Sequence, residues 1–289
     1  MRKLCIKILS GLIPYKPWRK KIRTMLSSAN LQESLSIVDF LNQIKLQATT
    51  PYNKLDDEGW KKNYEQSVKR TKETIKNDVF MNEWTSEIER LTQSGESVIE
   101  IGCALGASSL YLAKRGRIVS GLDFSQHLCD LFQETAHQLD LNVSAICADV
   151  TKRLPVTDNS YDVVWHAGLI EHFSDENVQF ITDECARICK KKVISMCPNA
   201  GSLAYRIGKE YHERNGTWQA GEENPKYTLK DVFFKTGLKN IQEYSIDMPS
   251  ALYFLPNSSL KRALEDIYRN LPTEDDCHQG YLLVTIGEK

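Results

Sequence analysis

The sequence predicts an α/β fold: a seven-stranded, mostly parallel sheet with helices on both faces, preceded by a helical extension. From Val98 onward, short apolar runs of the β type alternate with helical patterns, which is typical of strand–helix–strand units. The first run passes directly into a turn of small residues at 102–106, the usual junction between a strand and a helix in such sheets. The chain has 289 residues, 41% of them apolar, and so can bury one large core.

The predicted elements follow in order along the chain. Strands are expected at 98–102, 118–123, 143–148, 161–166, 191–197, 239–246 and 281–287. Helices are expected near 107–115, 126–139, 174–190, 228–236 and 258–270. The last two strands come late and are joined by a helix-bearing insertion. The alternation itself places helices on the two faces of the sheet.

Three regions are expected along the chain. Residues 1–24 form a basic amphipathic segment, and residues 25–95 form a helical region. Aromatic and aliphatic residues recur there at helix-like spacings, among them Trp60 and Tyr64. Residues 96–289 form the α/β domain, with an insertion around 200–230.

The basic segment differs in charge from the rest of the chain. Residues 1–24 hold eight basic residues and no acidic one, whereas the whole chain has a net charge of −1. The remainder is therefore acidic overall, which disfavours nucleic acid as a partner. Residues 1–13 place their apolar side chains on one broad helical arc, as in an interfacial membrane anchor on an anionic surface. Packing of that arc onto the body of the protein is the alternative.

The cysteines favour a reducing compartment. Eight of them are scattered through predicted helices and strands without a C-x-x-C pair, so we expect buried thiols and no metal site. No apolar run reaches the length of about 18 residues needed to span a bilayer. These observations predict a cytoplasmic protein, peripheral at the inner face of the membrane if residues 1–24 bind there.

An acidic residue interrupts the first predicted strand. Glu100 lies two positions before Gly102, and small residues follow at Ala104 and Gly106. A carboxylate inside an apolar strand costs free energy unless a nearby group needs it. Rossmann-like dinucleotide sites share the small-residue turn, but their third glycine would fall at Ala107 and their fingerprint requires no acid here. A ligand with a cationic group near the turn accounts for Glu100 better.

These residues resemble the first motif of the class I S-adenosylmethionine-dependent methyltransferases, [E/D]-x-G-x-G-x-G. The match runs from Glu100 to Gly106 and departs from the motif only at Ala104. The resemblance implies S-adenosyl-L-methionine as the cofactor, with Glu100, Gly102, Ala104 and Gly106 around its methionine part.

Further motifs of the same family follow in order. The resemblance implies that Asp123 accepts the ribose hydroxyls, with Phe124 beside it, and that Asp149 and the backbone of Val150 bind adenine. The stretch "YDVVWHAGLIEHF" at 161–173 is similar to the fourth-strand signature of the small-molecule branch, the methyltransferase type 11 group that includes quinone-biosynthesis enzymes. It implies that His166 lies beside the methionine end of the cofactor. The resemblance covers residues 80–200 well and 225–289 only as fold.

The predicted reaction is an in-line displacement that the protein promotes mainly by positioning the reactants. His172 is the candidate general base, because neutral imidazole suits proton removal near physiological pH; anchoring of the loop after the fourth strand is its alternative role. The aromatic and polar insertion at 202–231 is expected to meet the acceptor. We expect O-methylation of a small-molecule, saccharide or lipid-linked acceptor.

Three other functions are compatible with parts of this pattern. An RNA methyltransferase would use the same cofactor motifs with residues 1–24 as an RNA arm, but the [D/N]-P-P-[F/Y] run that clamps a flipped base is absent. A non-catalytic S-adenosylmethionine-binding protein is suggested by Ala104 alone. A nicotinamide oxidoreductase is disfavoured by Glu100 and Ala107.

Overall fold

The computed structural model describes residues 57–65, 67–78, 82–255, 261–262, 264–266 and 279–289. The basic segment at 1–24 and most of the predicted helix at 258–270 lie outside these residues. The described part divides into two compact units. One contains residues 54–198, 222–244 and 283–289, and the other contains residues 199–221 and 245–282. The domain division expected from the sequence stays a prediction.

In the part of the chain that the structure describes, three short helices precede the sheet: α1 (Asp57–Glu65), α2 (Val68–Lys76) and α3 (Glu83–Leu91). Helix α3 begins after Asn82, whose side chain accepts a hydrogen bond from the Thr85 amide, a typical N-cap. Its buried face includes Ile88, which is fully buried.

Seven strands form one sheet with the order β3-β2-β1-β4-β5-β7-β6. Their bounds are β1 (Ser97–Ile101), β2 (Ile118–Asp123), β3 (Val143–Cys147), β4 (Tyr161–Ala167), β5 (Cys189–Pro198), β6 (Lys239–Ile246) and β7 (Leu282–Glu288). Strands β1–β5 pair in parallel, and the sheet is mixed but mostly parallel. The predicted Rossmann-like α/β fold is thus confirmed, and every predicted strand lies within two residues of an observed one.

The helices between the strands are α4 (Ala107–Lys114), α5 (Gln126–Gln138), α6 (Asp175–Ile188), α7 (Leu203–Arg214), α8 (Lys230–Lys235) and α9 (Met248–Tyr253). A 3₁₀ turn, Ile170–His172, follows β4. Strands β1 and β4 are buried apolar runs, as expected for strands covered on both faces. Trp165 is fully buried in β4, as its apolar surroundings in the sequence predict.

The parallel strands determine where a ligand can bind. The carboxyl ends of β1 and β2 lie side by side, with Ile101 in register with Leu122. From β1 the chain continues to β2 and β3 on one side of the sheet, and from β4 it continues to β5 on the other side. The strand order therefore reverses between β1 and β4, and ligands bind at such a switch point. The turn at 102–106 and Asp123 both belong to this edge.

The second unit contains an aromatic cluster. The rings of Tyr205, Trp218, Phe254 and Tyr281 contact one another with centroid separations of 5.0 to 6.4 Å. Lys209 Nζ lies 5.0 Å from the centre of the Trp218 ring. Residues 202–221 of the predicted acceptor insertion therefore include helix α7 and pack Tyr205 and Trp218 within this unit. An acceptor-binding role for it stays a prediction.

Candidate functional site

The turn between β1 and α4 has an unusual backbone. Gly102, Ala104 and Gly106 have φ of 70°, 46° and 62°, in the left-handed region that glycine adopts easily and alanine does not. A Cβ at Gly106 would lie 2.4 Å from the Phe132 ring, and one at Gly102 would lie 2.7 Å from a Leu169 methyl group. Both glycines are therefore required by close packing as well as by conformation.

Glu100 lies on β1, two residues before this turn begins. Its carboxylate accepts a hydrogen bond from Ser109 Oγ at 2.6 Å, and only 8% of the residue is exposed. Burial raises the pKa of Glu100 to about 8, and the nearby charge of Asp123 acts in the same direction. A cation at this position would lower that pKa again and stabilise the carboxylate.

Asp123 connects the end of β2 to the turn. Its Oδ2 accepts from the Ala104 amide at 2.8 Å, and its Oδ1 accepts from the Ser125 amide at 3.0 Å. The carboxylate is 5% exposed and is held in one orientation by these two amides. Phe124, the next residue, is 50% exposed.

Asp149 follows β3 and is part of a local turn. Its Oδ1 accepts from the amide and the hydroxyl of Thr151, and its Oδ2 lies 3.2 Å from Lys152 Nζ. The Thr151 hydrogen bonds contribute most to a lowered pKa of Asp149. Val150 is 7% exposed. The carboxylate thus has a structural role in the turn, and adenine binding by Asp149 and Val150 stays a prediction.

His166 lies in the interior of the sheet. It is 1% exposed, and its Nδ1 has no hydrogen-bond partner among the described residues. Burial lowers the pKa of His166 to about 4, so the imidazole is neutral at physiological pH. A contact between His166 and the cofactor stays a prediction.

The turn after β4 carries the predicted base, His172. Its Nδ1 lies 2.6 Å from the Glu222 carbonyl oxygen; because a carbonyl only accepts, Nδ1 holds a proton and Nε2 carries the lone pair of the neutral ring. The Glu171 carbonyl accepts from the Asn224 amide at 2.7 Å. Two hydrogen bonds thus attach this turn to residues 222–224. The geometry is compatible with either alternative for His172: a base at Nε2 or an anchor for the loop.

Two aromatic residues of α1 lie over this turn, and the sequence did not identify them as site residues. The Trp60 ring meets the His172 ring edge-on at 5.2 Å and stacks on Tyr64 at 6.1 Å. Burial raises the pKa of Tyr64 to about 12, with further contributions from the charges of Asp123, Glu100 and Glu171. The charges of all three carboxylates thus act on the Tyr64 hydroxyl. The i, i+4 spacing of Trp60 and Tyr64 was the signal that they share one helix face.

Glu171 directly precedes the predicted base and is the least compensated acid of the site. It is 1% exposed, and its Oε2 has no hydrogen-bond partner in the described part of the chain. Its Oε1 lies 3.9 Å from His172 Nε2. The packing of Leu169 against Gly102 joins this turn to the one that follows β1.

These residues fit a nucleoside ligand with a cationic centre. Glu100 offers a buried carboxyl group that accepts a hydrogen bond from Ser109 and that a cation would favour in its ionised form. The glycine turn exposes backbone without Cβ atoms, and Asp123 presents an oriented carboxylate at the neighbouring strand end. S-adenosyl-L-methionine has an ammonium, a sulfonium and two ribose hydroxyls, which suit this donor and acceptor set.

Comparison with known proteins agrees with this fit. Residues 98–192 match a family model described as a methyltransferase domain. A ubiquinone biosynthesis O-methyltransferase of Coxiella burnetii is 32% identical over 128 residues, which cover 43% of this chain and 53% of that protein. An (S)-tetrahydroprotoberberine N-methyltransferase of Eschscholzia californica is 37% identical over 90 residues, covering 30% of this chain and 25% of that one. The chain thus spans about half the length, or less, of these relatives.

Solved structures show the same fold. A SAM-dependent methyltransferase from Aquifex aeolicus superposes with a TM-score of 0.51 at 14% identity, covering 81% of this chain and 99% of that one. The family and the cofactor expected from the sequence are confirmed. Over residues 98–192 the chain therefore forms a class I S-adenosylmethionine-dependent methyltransferase domain of the small-molecule branch.

Proposed function

We propose that this protein transfers a methyl group from S-adenosyl-L-methionine to a small-molecule acceptor. The observation that carries the proposal is the buried Glu100 beside a left-handed small-residue turn, with Asp123 oriented by the Ala104 amide. The relatives named above are, by name, an O-methyltransferase of ubiquinone biosynthesis and an N-methyltransferase of (S)-tetrahydroprotoberberine, which supports a small organic acceptor.

Several residues would hold the cofactor in this proposal. Glu100 would compensate the positive charge of its methionine part, and Asp123 would accept from its ribose hydroxyls. When bound, the cofactor supplies an activated methyl group whose leaving group is a neutral thioether. Gly102 and Gly106 would let the ligand approach the backbone closely.

The remaining task of the chain is to place the acceptor. Alignment of the reacting atoms can contribute roughly 7–11 kcal/mol to the lowering of the barrier. His172 stays our candidate base, since its neutral Nε2 faces Glu171 and is oriented by the bond from Nδ1 to Glu222. A positioned base adds about 10²–10⁴-fold to the rate.

Calorimetry tests cofactor binding directly. S-adenosyl-L-methionine and its demethylated product should both bind the purified protein, and Asp123→Asn should weaken both at least tenfold. Asp130→Asn, an exposed acid on α5, is the matched control and should bind normally. Absence of binding to the unaltered protein would refute the proposal.

Methyl transfer needs a separate measurement. Cofactor labelled on its methyl group is added to a cell extract with the protein, and the label is followed into small molecules, lipid, glycan, protein and RNA. Label in small molecules or lipids is expected. Label in RNA would favour the alternative function, and tight cofactor binding without transfer to any fraction would favour a non-catalytic binding protein.

We also propose that residues 1–24 attach the enzyme to anionic membranes, which would bring it to a lipid-linked acceptor. The eight basic residues of that segment support this proposal; the segment lies outside the described residues. In the part of the chain that the structure describes, no helix has the length and apolarity to cross a bilayer. The protein should float with anionic vesicles, and deletion of residues 1–24 should abolish this flotation. Unchanged flotation after the deletion would contradict the proposal.

A further inference from the structure

We propose that the methyl acceptor is an amine, that it enters as an ammonium cation against Glu171 beneath Trp60 and Tyr64, and that it is methylated on nitrogen. This inference rests on the proposed methyltransferase function and names the substrate class of the same site. It departs from the O-methylation favoured by the sequence, which was based on general similarity to the quinone branch.

The first support is the uncompensated carboxylate of Glu171. The residue is 1% exposed, and its Oε2 accepts no hydrogen bond from any residue within the described ranges. Buried polar atoms in folded proteins are nearly always hydrogen-bonded, and a buried ionised carboxylate without a partner is especially costly. A donor supplied by a ligand would remove this cost, and a charged N–H donor would remove more of it than a neutral one.

The second support is the charge around Glu171. Burial raises the pKa of this residue well above its usual range, and the charge of Glu223, itself 5% exposed, raises it further, while Lys226 opposes them. The Lys226 ammonium lies 3.0 Å from Asp175, with which it is paired. His172 and Tyr64 also face the group. The surroundings thus favour a positive ligand at Glu171 over a neutral or negative one.

The third support is the aromatic cover. Trp60 contacts the ring of His172, the residue next to Glu171, at 5.2 Å, and Tyr64 stacks on Trp60. The charge of Glu171 is also among the causes that raise the pKa of Tyr64. Aromatic faces attract cations, most strongly where water is excluded. A hydroxyl acceptor would gain nothing comparable from this arrangement.

The chemistry of the site agrees with a nitrogen nucleophile. The ammonium first transfers one proton to the Glu171 carboxylate, which leaves a neutral amine and a neutral acid. The nitrogen lone pair then forms the N–C bond, and the C–S bonding pair remains on sulfur, which becomes a neutral thioether. The positive charge passes to the methylated nitrogen, and Glu171 later releases its proton to solvent. A carboxyl group that favours its protonated form is suited to the first step.

The test uses two molecules of similar shape, 3,3-dimethylbutan-1-amine, which is an ammonium at neutral pH, and the neutral 3,3-dimethylbutan-1-ol, each titrated calorimetrically into the protein saturated with S-adenosylhomocysteine. The amine should bind at least tenfold more tightly than the alcohol. Glu171→Gln, which keeps size and removes charge, should reduce this preference at least tenfold. Glu176→Gln, an exposed acid on α6, is the matched control and should preserve it. Thermal unfolding with and without S-adenosylhomocysteine checks that each variant is folded.

Either of two calorimetric results would overturn the inference: no preference for the amine by the unaltered protein, or an unchanged preference in the folded Glu171→Gln variant. Label from the methyl-labelled cofactor should appear in products retained by a cation exchanger, and label confined to neutral ethers would also overturn it. These failures are separable from failure of the proposed function. If S-adenosylhomocysteine binds and the cation preference is absent, only the acceptor class is wrong; if S-adenosylhomocysteine does not bind, the methyltransferase proposal fails.

Discussion

Replacement of Ala104 by glycine should leave the stability of the protein almost unchanged, although it removes a buried methyl group. Ala104 has φ of 46° and donates its amide to Asp123. A left-handed conformation costs a residue with a Cβ roughly 1–2 kcal/mol relative to glycine. Glycine increases the entropy of the unfolded chain by about 0.4–1 kcal/mol in the opposite direction, and the lost methyl group costs about 0.8 kcal/mol more. The free energy of unfolding should therefore change by less than about 1 kcal/mol in either direction.

Urea denaturation followed by circular dichroism measures this difference, and any shift in Tm should stay below about 4 °C. Ala107→Gly is the control, because Ala107 begins α4 and its φ is not positive. That change should destabilise the protein by up to about 1 kcal/mol. If Ala104→Gly destabilises the protein as much as Ala107→Gly, the conformational strain assigned to Ala104 is refuted. If the strain also disturbs the turn, Ala104→Gly should bind S-adenosyl-L-methionine more tightly.

Three further changes test other parts of the site and the core. Gly106→Ala should cost at least about 3 kcal/mol in urea denaturation, because its Cβ would meet Phe132 at 2.4 Å and φ is positive; a loss below 1 kcal/mol would contradict this. The unfolded form of Glu100 ionises near pH 4.5 while the folded form, with its pKa raised to about 8, stays protonated, so stability should fall as pH rises from 5 to 8. Glu100→Gln should make that fall smaller, and identical slopes would be evidence against a buried neutral acid. Arg187→Ala should cost about 2–4 kcal/mol, since the guanidinium is 14% exposed and pairs with Glu184 at 2.7 Å; an unchanged denaturation midpoint would show the pair to be unimportant.

Much of the fold follows from local patterns in the sequence. The strands of this sheet are short apolar runs bounded by polar turns. Such runs are typical of parallel strands that are buried on both faces. The positions of Glu100, Gly102 and Asp123 at neighbouring strand ends follow from the spacing of those runs. Helices α7 and α9 were not predicted, because polar residues and glycines interrupt their apolar faces, and their packing depends on distant aromatic residues.

The acceptor side of the site could not be predicted for a different reason. Trp60 and His172 are far apart in sequence, and their contact depends on how α1 packs against the turn after β4. The missing hydrogen-bond partner of Glu171 Oε2 also depends on the complete three-dimensional environment. The left-handed conformation of Ala104 could not be predicted, because the alanine residue itself gives no local sign of a positive φ. The periodicity of apolar residues indicates which face of a helix or strand a residue occupies. It does not indicate which residue, distant in sequence, packs against that face.

The attachment of the turn after β4 to both Trp60 and residues 222–224 has an evolutionary consequence. Residues 98–192, which match the methyltransferase family model, contain the positions proposed to bind the cofactor but neither α1 nor Glu222 and Glu223. Substitutions in those flanking pieces could therefore redirect the enzyme to a new substrate while its use of the methyl donor persists. For the same reason, a fragment limited to residues 98–192 should still bind the methyl donor but should lose its preference among methyl acceptors.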